Sequence, residues 1–234
     1  MAITLIFQLI VLIFSIMIHE IAHGAMALKL GDDTAQKLGR LTLNPLKHID
    51  LFGSIILPAI LIIPGLLNPA LRSPFLIGWA KPVPYDPRRL RDPRTGAALI
   101  ALAGPATNIV LAIIFGIFSW LIPLDHATKT QIINEFIQQG NVAFSNYLLI
   151  NIFISTLIII YINLLLAIFN LIPIPPLDGS KLLFYFLPQN YRLQAILETY
   201  GPILLLIFIF GGFFSFVAPI IQFIFQLIVS SSVL

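Results

Sequence analysis

The fold is decided by the apolar stretch at residues 3–29, ITLIFQLIVLIFSIMIHEIAHGAMALK. Glu20 and the terminal Lys29 carry its only formal charges. About 20 apolar residues are enough for an α-helix to cross the hydrocarbon core of a bilayer. We therefore predict one long transmembrane helix over residues 3–29, with Gly31 as its C-terminal stop.

The rest of the chain has the same apolar character. Charged residues make up 10% of the 234 residues, whereas soluble domains average about 25%, and the mean hydropathy is +0.99. Stretches without Asp, Glu, Lys or Arg make up more than half of the chain: 1–18, 51–71, 95–124, 136–177 and 199–234. This composition predicts an all-α polytopic membrane protein with about four to six transmembrane helices and the lipid bilayer as its surroundings. It excludes a soluble enzyme and a nucleic-acid binder, and the absence of cysteine excludes a disulfide scaffold.

Helices are predicted at four further places. Two long ones cover 96–122 and 144–170, a short polar one covers 180–187, and a final apolar region covers 202–230. Gly211-Gly212 and Pro219 are expected to kink or split that last region, so the sequence leaves open whether it holds one span or two. We expect residues 1–234 to form a single integral-membrane domain, with a catalytic core at about 3–188.

Basic residues predict the topology. Nine of the thirteen Lys and Arg residues lie in the loops 31–50 and 72–94, and basic loops favour the cytoplasmic face. The run 51–71 between them is short and broken by prolines, so we predict a re-entrant segment. The N-terminus and the 123–143 loop are then outside. Residues 38–43 and 78–84 are predicted as short membrane-surface β-strands that bind an extended peptide at their edge.

The first helix contains the motif His19-Glu20-Ile21-Ala22-His23. Ionisable groups inside a membrane segment are costly, so each of them requires a reason. Residues i and i+4 of a helix are separated by about 40° around the axis and about 6 Å along it, so both imidazoles can bind one metal ion. Glu20 is then placed to take a proton from a metal-bound water, which is the chemistry of a zinc peptidase.

A third ligand is needed, and Asp178 is the candidate because it follows another helix that ends toward the same face. The alternative for Asp178 is an N-cap of helix 180–187. The His/Glu/Asp cluster also fits a proton relay in a transporter or a polar clamp between helices. Prolines before Asp178 forbid regular helix, and irregular backbone at membrane depth indicates a cavity.

Three motifs together resemble the site-2 proteases, a family of intramembrane zinc metalloproteases. They are HEIAHG at 19–24, AGPATN at 103–108 and NLIPIPPLDG at 170–179. The stretches GRLTLNP at 39–45 and GWAKPVP at 78–84 are similar to a compact bacterial-type branch without a PDZ domain. The resemblance implies that Asp178 is the third zinc ligand and Glu20 the general base. It also implies a second group of residues that bind the substrate or support the transition state: Gly104, Pro105, Asn108 and Asn170.

The expected activity is zinc-dependent endoproteolysis in or near transmembrane segments of a membrane-protein substrate, with one Zn²⁺ per chain. The expected location is the bacterial inner membrane, with the active site toward the cytoplasm. The alternative is a metal-binding or proton-coupled membrane transporter that uses the same cluster. A homo-oligomer, the substrate's identity and the regulatory signal are left open.

Overall fold

The computed structural model describes residues 2–48, 81–139, 142–188 and 190–230, together with isolated positions between 50 and 67. In this part of the chain the long elements are all helical. They are α1 (Ala2–Lys29), α2 (Thr34–Lys37), α3 (Pro93–Leu121), α4 (His126–Gln139), α5 (Leu148–Asn170), α6 (Gly179–Phe186), α7 (Tyr191–Phe210) and α8 (Phe213–Ser230). The predicted all-α class is confirmed.

Among the described residues, four helices are long and apolar enough to cross a membrane, namely α1, α3, α5 and α7. The apolar helix α8 is shorter. The four spans found in the described part of the chain lie within the predicted range of four to six, and the chain is an integral membrane protein.

Helix α5 is the centre of the bundle. It packs most extensively against α3 and also contacts α1 and α8, and Leu157, Ile160 and Leu164 are almost fully buried. Lipid is as apolar as these side chains, so close packing rather than exclusion of water holds such helices together. The small buried residues of α3, such as Ala101 and Ala112, permit that close packing.

Helices α1 and α3 run antiparallel. His19 contacts Asn108, whereas His23, one turn further along α1, contacts Ile100. The C-terminal end of α1 therefore lies beside the N-terminal end of α3, where Asp92 accepts hydrogen bonds from the N–H groups of Arg94 and Thr95.

The two basic loops meet at this end of the bundle. The Arg89 guanidinium lies 2.6 Å from the Asp33 carboxylate, and the N–H of Asp86 donates to the buried carboxylate of Asp32. The chain therefore leaves α1 and enters α3 on the same side, as the charge pattern predicts. The predicted re-entrant segment 51–71 lies outside the described residues, apart from isolated positions.

The strand prediction is wrong for residues 38–43, which form a turn and bends. Their amides bond locally, since Leu38, Gly39 and Arg40 donate to carbonyls of residues 34–36, and Gly39 has a φ of +63°. Amides used in this way cannot form a ladder with another strand. Residues 81–84 are not a strand either, and 78–80 lie outside the described residues.

The region between α3 and α5 was predicted as a loop, but it contains α4. Asp125 starts this helix by accepting a hydrogen bond from the N–H of Thr128 at 2.9 Å. The buried Lys129 then donates to the carbonyls of Ser119 and Trp120 at the end of α3. The positive charge of Lys129 therefore lies at the C-terminal end of α3, where it stabilises the negative end of the helix dipole.

The last apolar region starts earlier than predicted, but it is interrupted at the predicted glycines. Helix α7 begins at Tyr191 rather than at 202, because Asn190 caps it by accepting from the N–H of Leu193. Gly211 and Gly212 separate α7 from α8, and Gly212 has a φ of +90°, which favours glycine.

Candidate metal centre

Helix α1 brings two imidazoles to one face, and a loop after α5 brings a carboxylate to them. The Nε2 atoms of His19 and His23 lie 3.0 and 3.2 Å from Oδ2 of Asp178. Both histidines are buried, at 4% and 9% exposure. His19 and Asp178, which are separated by 159 positions in sequence, thus meet at one point.

The other ring nitrogens are held by α3. His19 Nδ1 lies 3.0 Å from Oδ1 of Asn108, and His23 Nδ1 lies 2.6 Å from the carbonyl of Ile100. These oxygens accept from imidazoles that carry their proton on Nδ1, which leaves both Nε2 lone pairs directed toward Asp178. This is how metal-binding histidines are usually oriented.

Asp178 does not act as the cap of α6. Its backbone is helical, and its side chain makes no capping hydrogen bond. The next residue has to be glycine, because a Cβ on Gly179 would lie 2.2 Å from the carbonyl oxygen of Leu171. The close approach of α6 to the end of α5 is what turns the Asp178 carboxylate toward α1.

Gly104 lies on the face of α3 that meets the imidazoles. A Cβ on Gly104 would lie 2.5 Å from Nε2 of His19 and 2.6 Å from Cε1 of His23, so the site requires a residue without a side chain. Pro105 is buried inside the helix. It has no N–H, so the carbonyl of Ala101 lacks its usual helical partner.

Glu20 points to a different partner from the two histidines. Its Oε2 accepts a hydrogen bond of 2.8 Å from the N–H of Val83. It therefore lies next to the histidine pair without joining the group of His19, His23 and Asp178.

Four of the site residues, His19, Glu20, His23 and Asp178, line a cavity of about 230 Å³. Asn170 lies at its wall, and the Nδ2 of this side chain donates to the carbonyl of Leu166 in its own helix at 2.9 Å. The remaining lining is contributed by α3, by the segment before it, by the turn that precedes α6 and by the first turn of α6: Pro82, Val83, Tyr85, Ala97, Ile100, Ala101, Pro176, Leu177 and Lys181. The cavity has room for part of a peptide beside Glu20.

The three donor atoms fit a zinc ion. They all lie within 4.8 Å of one another. Ligands about 2.0–2.2 Å from a tetrahedral Zn²⁺ are about 3.3 Å apart, close to the two histidine–aspartate separations. Two imidazoles and one carboxylate with a fourth position open is the donor set of catalytic zinc sites.

Sequence reasoning missed the main-chain partners of the site. The carbonyl of Ile100 and the N–H of Val83 carry no side-chain signal, so no residue type could reveal them. His48 is also buried, and its Nε2 lies 2.9 Å from the carbonyl of Thr42.

A polytopic helical bundle with this donor set beside a carboxylate has the construction of a membrane-embedded metalloprotease. The model of peptidase family M50 matches residues 7–208 of the chain. The chain belongs to peptidase family M50, so the resemblance to site-2 proteases is confirmed, and the chain is a metalloendopeptidase.

Two relatives support this assignment. The chain is 37% identical over 202 residues to "Putative zinc metalloprotease YwhC" of Bacillus subtilis, covering 86% of this chain and 78% of that protein. It is 28% identical over 196 residues to "Putative zinc metalloprotease Rip2" of Mycolicibacterium smegmatis, covering 83% of this chain and 63% of that protein. No solved structure matches the chain significantly.

Proposed function

We propose that the protein is a zinc-dependent intramembrane endopeptidase, which hydrolyses peptide bonds in or near transmembrane segments of membrane proteins. The observation that carries this proposal is the meeting of His19, His23 and Asp178 beside Glu20, in a cavity within a bundle of membrane-spanning helices. A carboxylate next to the ligands, but not among them, is what hydrolysis of a peptide requires.

In this proposal His19, His23 and Asp178 hold one zinc ion per chain. When bound, zinc supplies a Lewis acid that polarises a peptide carbonyl and lowers the pKa of water. Glu20 takes the proton from the attacking water and returns it to the leaving amine. One carboxylate oxygen of Glu20 is engaged by Val83, while the other makes no hydrogen bond to a described residue and is available for that proton.

The remaining predicted residues support this chemistry in different ways. We assign Asn108 to the orientation of His19, because its Oδ1 faces Nδ1 of that ring and it is fully buried. Gly104 leaves space for both imidazoles, and Pro105 frees a carbonyl at the cavity. Asn170 is assigned to contact with substrate, since it lies at the cavity wall.

The substrate has to enter this cavity in an extended form. A transmembrane helix uses its own amides in hydrogen bonds, so the scissile segment must unwind before water can reach its carbonyl. We therefore expect cleavage where residues such as Gly, Pro or Asn weaken a transmembrane helix. The basic loops favour an orientation with the site toward the cytoplasm, and the bacterial relatives favour a bacterial inner membrane.

The transporter alternative is less well supported. A transporter that binds a metal with His19, His23 and Asp178 has no need for Glu20 beside them, held by a main-chain N–H. Among the described residues, Glu20 is the carboxylate that distinguishes the two functions.

The proposal is tested by comparing protein termini in membranes of cells that express the wild type or Glu20→Gln. We expect new termini that depend on Glu20 and that map in or near transmembrane segments. Purified wild type should contain about one zinc per chain. Termini that map only to soluble regions, or none that depend on Glu20, would contradict the proposal.

A further inference from the structure

The segment Lys81–Asp86, here called the strap, lies along the cavity and makes contact with the general base. We propose that the main-chain N–H of Val83 positions the Glu20 carboxylate, and that Asp32 is a remote positioning residue that holds the strap in place. This inference rests on the proposed function, because it concerns the orientation of the base in that reaction.

The first contact is between the strap and Glu20. The N–H of Val83 donates to Oε2 of Glu20 at 2.8 Å, and the Val83 residue is only 7% exposed. A hydrogen bond to a charged carboxylate is stronger than one between neutral groups. It fixes the rotation of the carboxylate through Oε2 and leaves Oε1 to face the reacting water.

The second contact is at the far end of the strap. Oδ2 of Asp32 accepts a hydrogen bond from the N–H of Asp86 at 2.7 Å, and its Oδ1 accepts from the N–H and the hydroxyl of Thr34. Asp32 is fully buried and does not line the cavity. An ionised carboxylate suits three donors, because both of its oxygens then act only as acceptors.

The strap is also held at its beginning. The N–H of Lys81 donates to the carbonyl of His48 at 2.8 Å. Val83 and Asp86 are three residues apart, so an extended chain separates their amides by at most about 10 Å. Anchors on both sides at this distance limit how far the N–H of Val83 can move from Glu20.

Asp32 is thus linked to the reaction through the backbone. Both carboxylates belong to α1 or to the turn that follows it, so the strap bridges two points of one rigid element. Loss of the Asp32 anchor would let the strap shift and would leave Glu20 free to rotate. The chemical step would slow although every ligand residue and Glu20 itself are still present.

The test uses Asp32→Asn, in which an amide N–H₂ replaces one acceptor and faces a donor. Its matched control is Asp125→Asn, because Asp125 also accepts from the N–H and hydroxyl of a threonine but lies past the opposite end of α3. Zinc content, kcat and KM are measured with a single-span reporter that the wild type cleaves and Glu20→Gln does not.

We expect Asp32→Asn to lower kcat about tenfold, the size of one hydrogen bond to a charged group. KM should stay within about twofold and zinc content should be unchanged, whereas Asp125→Asn should behave as wild type. A purely structural role would lower zinc content and active fraction together, so the separation of kcat from zinc content is the informative readout.

A second variant replaces the Val83 amide by an ester, which removes the N–H and keeps every side chain. It is made by cell-free translation with a suppressor tRNA acylated with 2-hydroxyisovaleric acid. We expect a similar fall in kcat, and the ester combined with Asp32→Asn should fall little further, since both act on one hydrogen bond. This variant decides the matter if Asp32→Asn fails to fold.

Three results with the ester variant would overturn the inference. The first is an unchanged kcat. The second is a higher kcat, which would make the strap inhibitory, and the third is a raised KM alone, which would make the strap a substrate contact. Failure of the proposed function is recognised separately, because Glu20→Gln would then cleave the reporter as well as the wild type does.

Discussion

Gly104 lies directly against His19, and a Cβ at this position would come within 2.5 Å of the Nε2 atom that faces Asp178. The placement of the two imidazoles on α1 therefore depends on the absence of a side chain on α3. The same helix holds the other side of that ring through Asn108, at 3.0 Å from Nδ1. Helix α3 contributes no residue to the group of His19, His23 and Asp178, yet its surface determines where both imidazoles lie.

We predict that Gly104→Ala weakens zinc binding at least about tenfold, within the range for lost support of metal ligands. Gly116→Ala is the control on the same helix, because the added methyl there meets the side chain of Ile228. Zinc titration of both purified variants checks this. Equal affinities in the two variants would show that the imidazoles adjust to the methyl group.

Asn108→Ala should also weaken zinc binding, by about 10- to 100-fold, because His19 loses the partner of its Nδ1. Asn163→Ala is a matched control: Asn163 is likewise buried and donates to Ser15 on α1 at 3.0 Å. The control should lower the melting temperature and keep zinc. Wild-type zinc affinity in Asn108→Ala would assign Asn108 to another role.

Asp178→Asn should lose zinc more severely than either variant above, because an amide oxygen replaces a charged ligand. Asp92→Ala, which removes a real cap at the start of α3, should lower stability by about 1 kcal/mol and keep zinc. Zinc content after dialysis distinguishes the two. Retained zinc in Asp178→Asn would remove this residue from the ligand set.

The buried Asp32 predicts a pH dependence of stability. Burial opposes ionisation of this carboxyl, but hydrogen bonds from Thr34 and Asp86 outweigh it and hold its pKa below the usual 3.8. Its contribution is therefore present above about pH 4 and is lost as the pH falls through the lower folded pKa. The melting temperature of Asp32→Asn should lie below that of wild type at pH 7, and the difference should shrink toward pH 3. A constant difference would show that the carboxylate charge is not involved.

The topology can be tested because the chain has no cysteine. Single cysteines at the exposed Gln36, Arg91 and Gln131 are labelled with a membrane-impermeant thiol reagent on intact cells. We expect Gln131→Cys to react, and Gln36→Cys and Arg91→Cys to be protected until the cells are opened. If Gln36→Cys and Arg91→Cys were labelled from opposite sides of the membrane, the contact between Asp33 and Arg89 would be contradicted.

The sequence was most informative about long apolar helices and about the histidine pair. Both follow from local rules, namely the length of an apolar run and the four-residue spacing on one helix face. Helix α4 was missed because its composition is polar, and its start depends on the cap at Asp125. The predicted strand at 38–43 is absent because Gly39 forms a turn there, with a φ of +63°.

The site was predictable as a set of residue types and not as a set of contacts. Nothing local to Asp178 distinguishes a cap from a ligand, because the difference lies in which way the backbone at Gly179 turns it. Main-chain partners such as the Val83 N–H have no side-chain signature, and Asp32 is meaningful only once the strap is known to reach it.

The most direct test of the central claim is the cleavage rate of Glu20→Gln at full zinc occupancy. We predict about one zinc per chain, as in wild type, together with a loss of cleavage of at least about 100-fold, because the ligands remain while the proton acceptor is gone. Cleavage at the wild-type rate by the zinc-loaded variant would contradict the account.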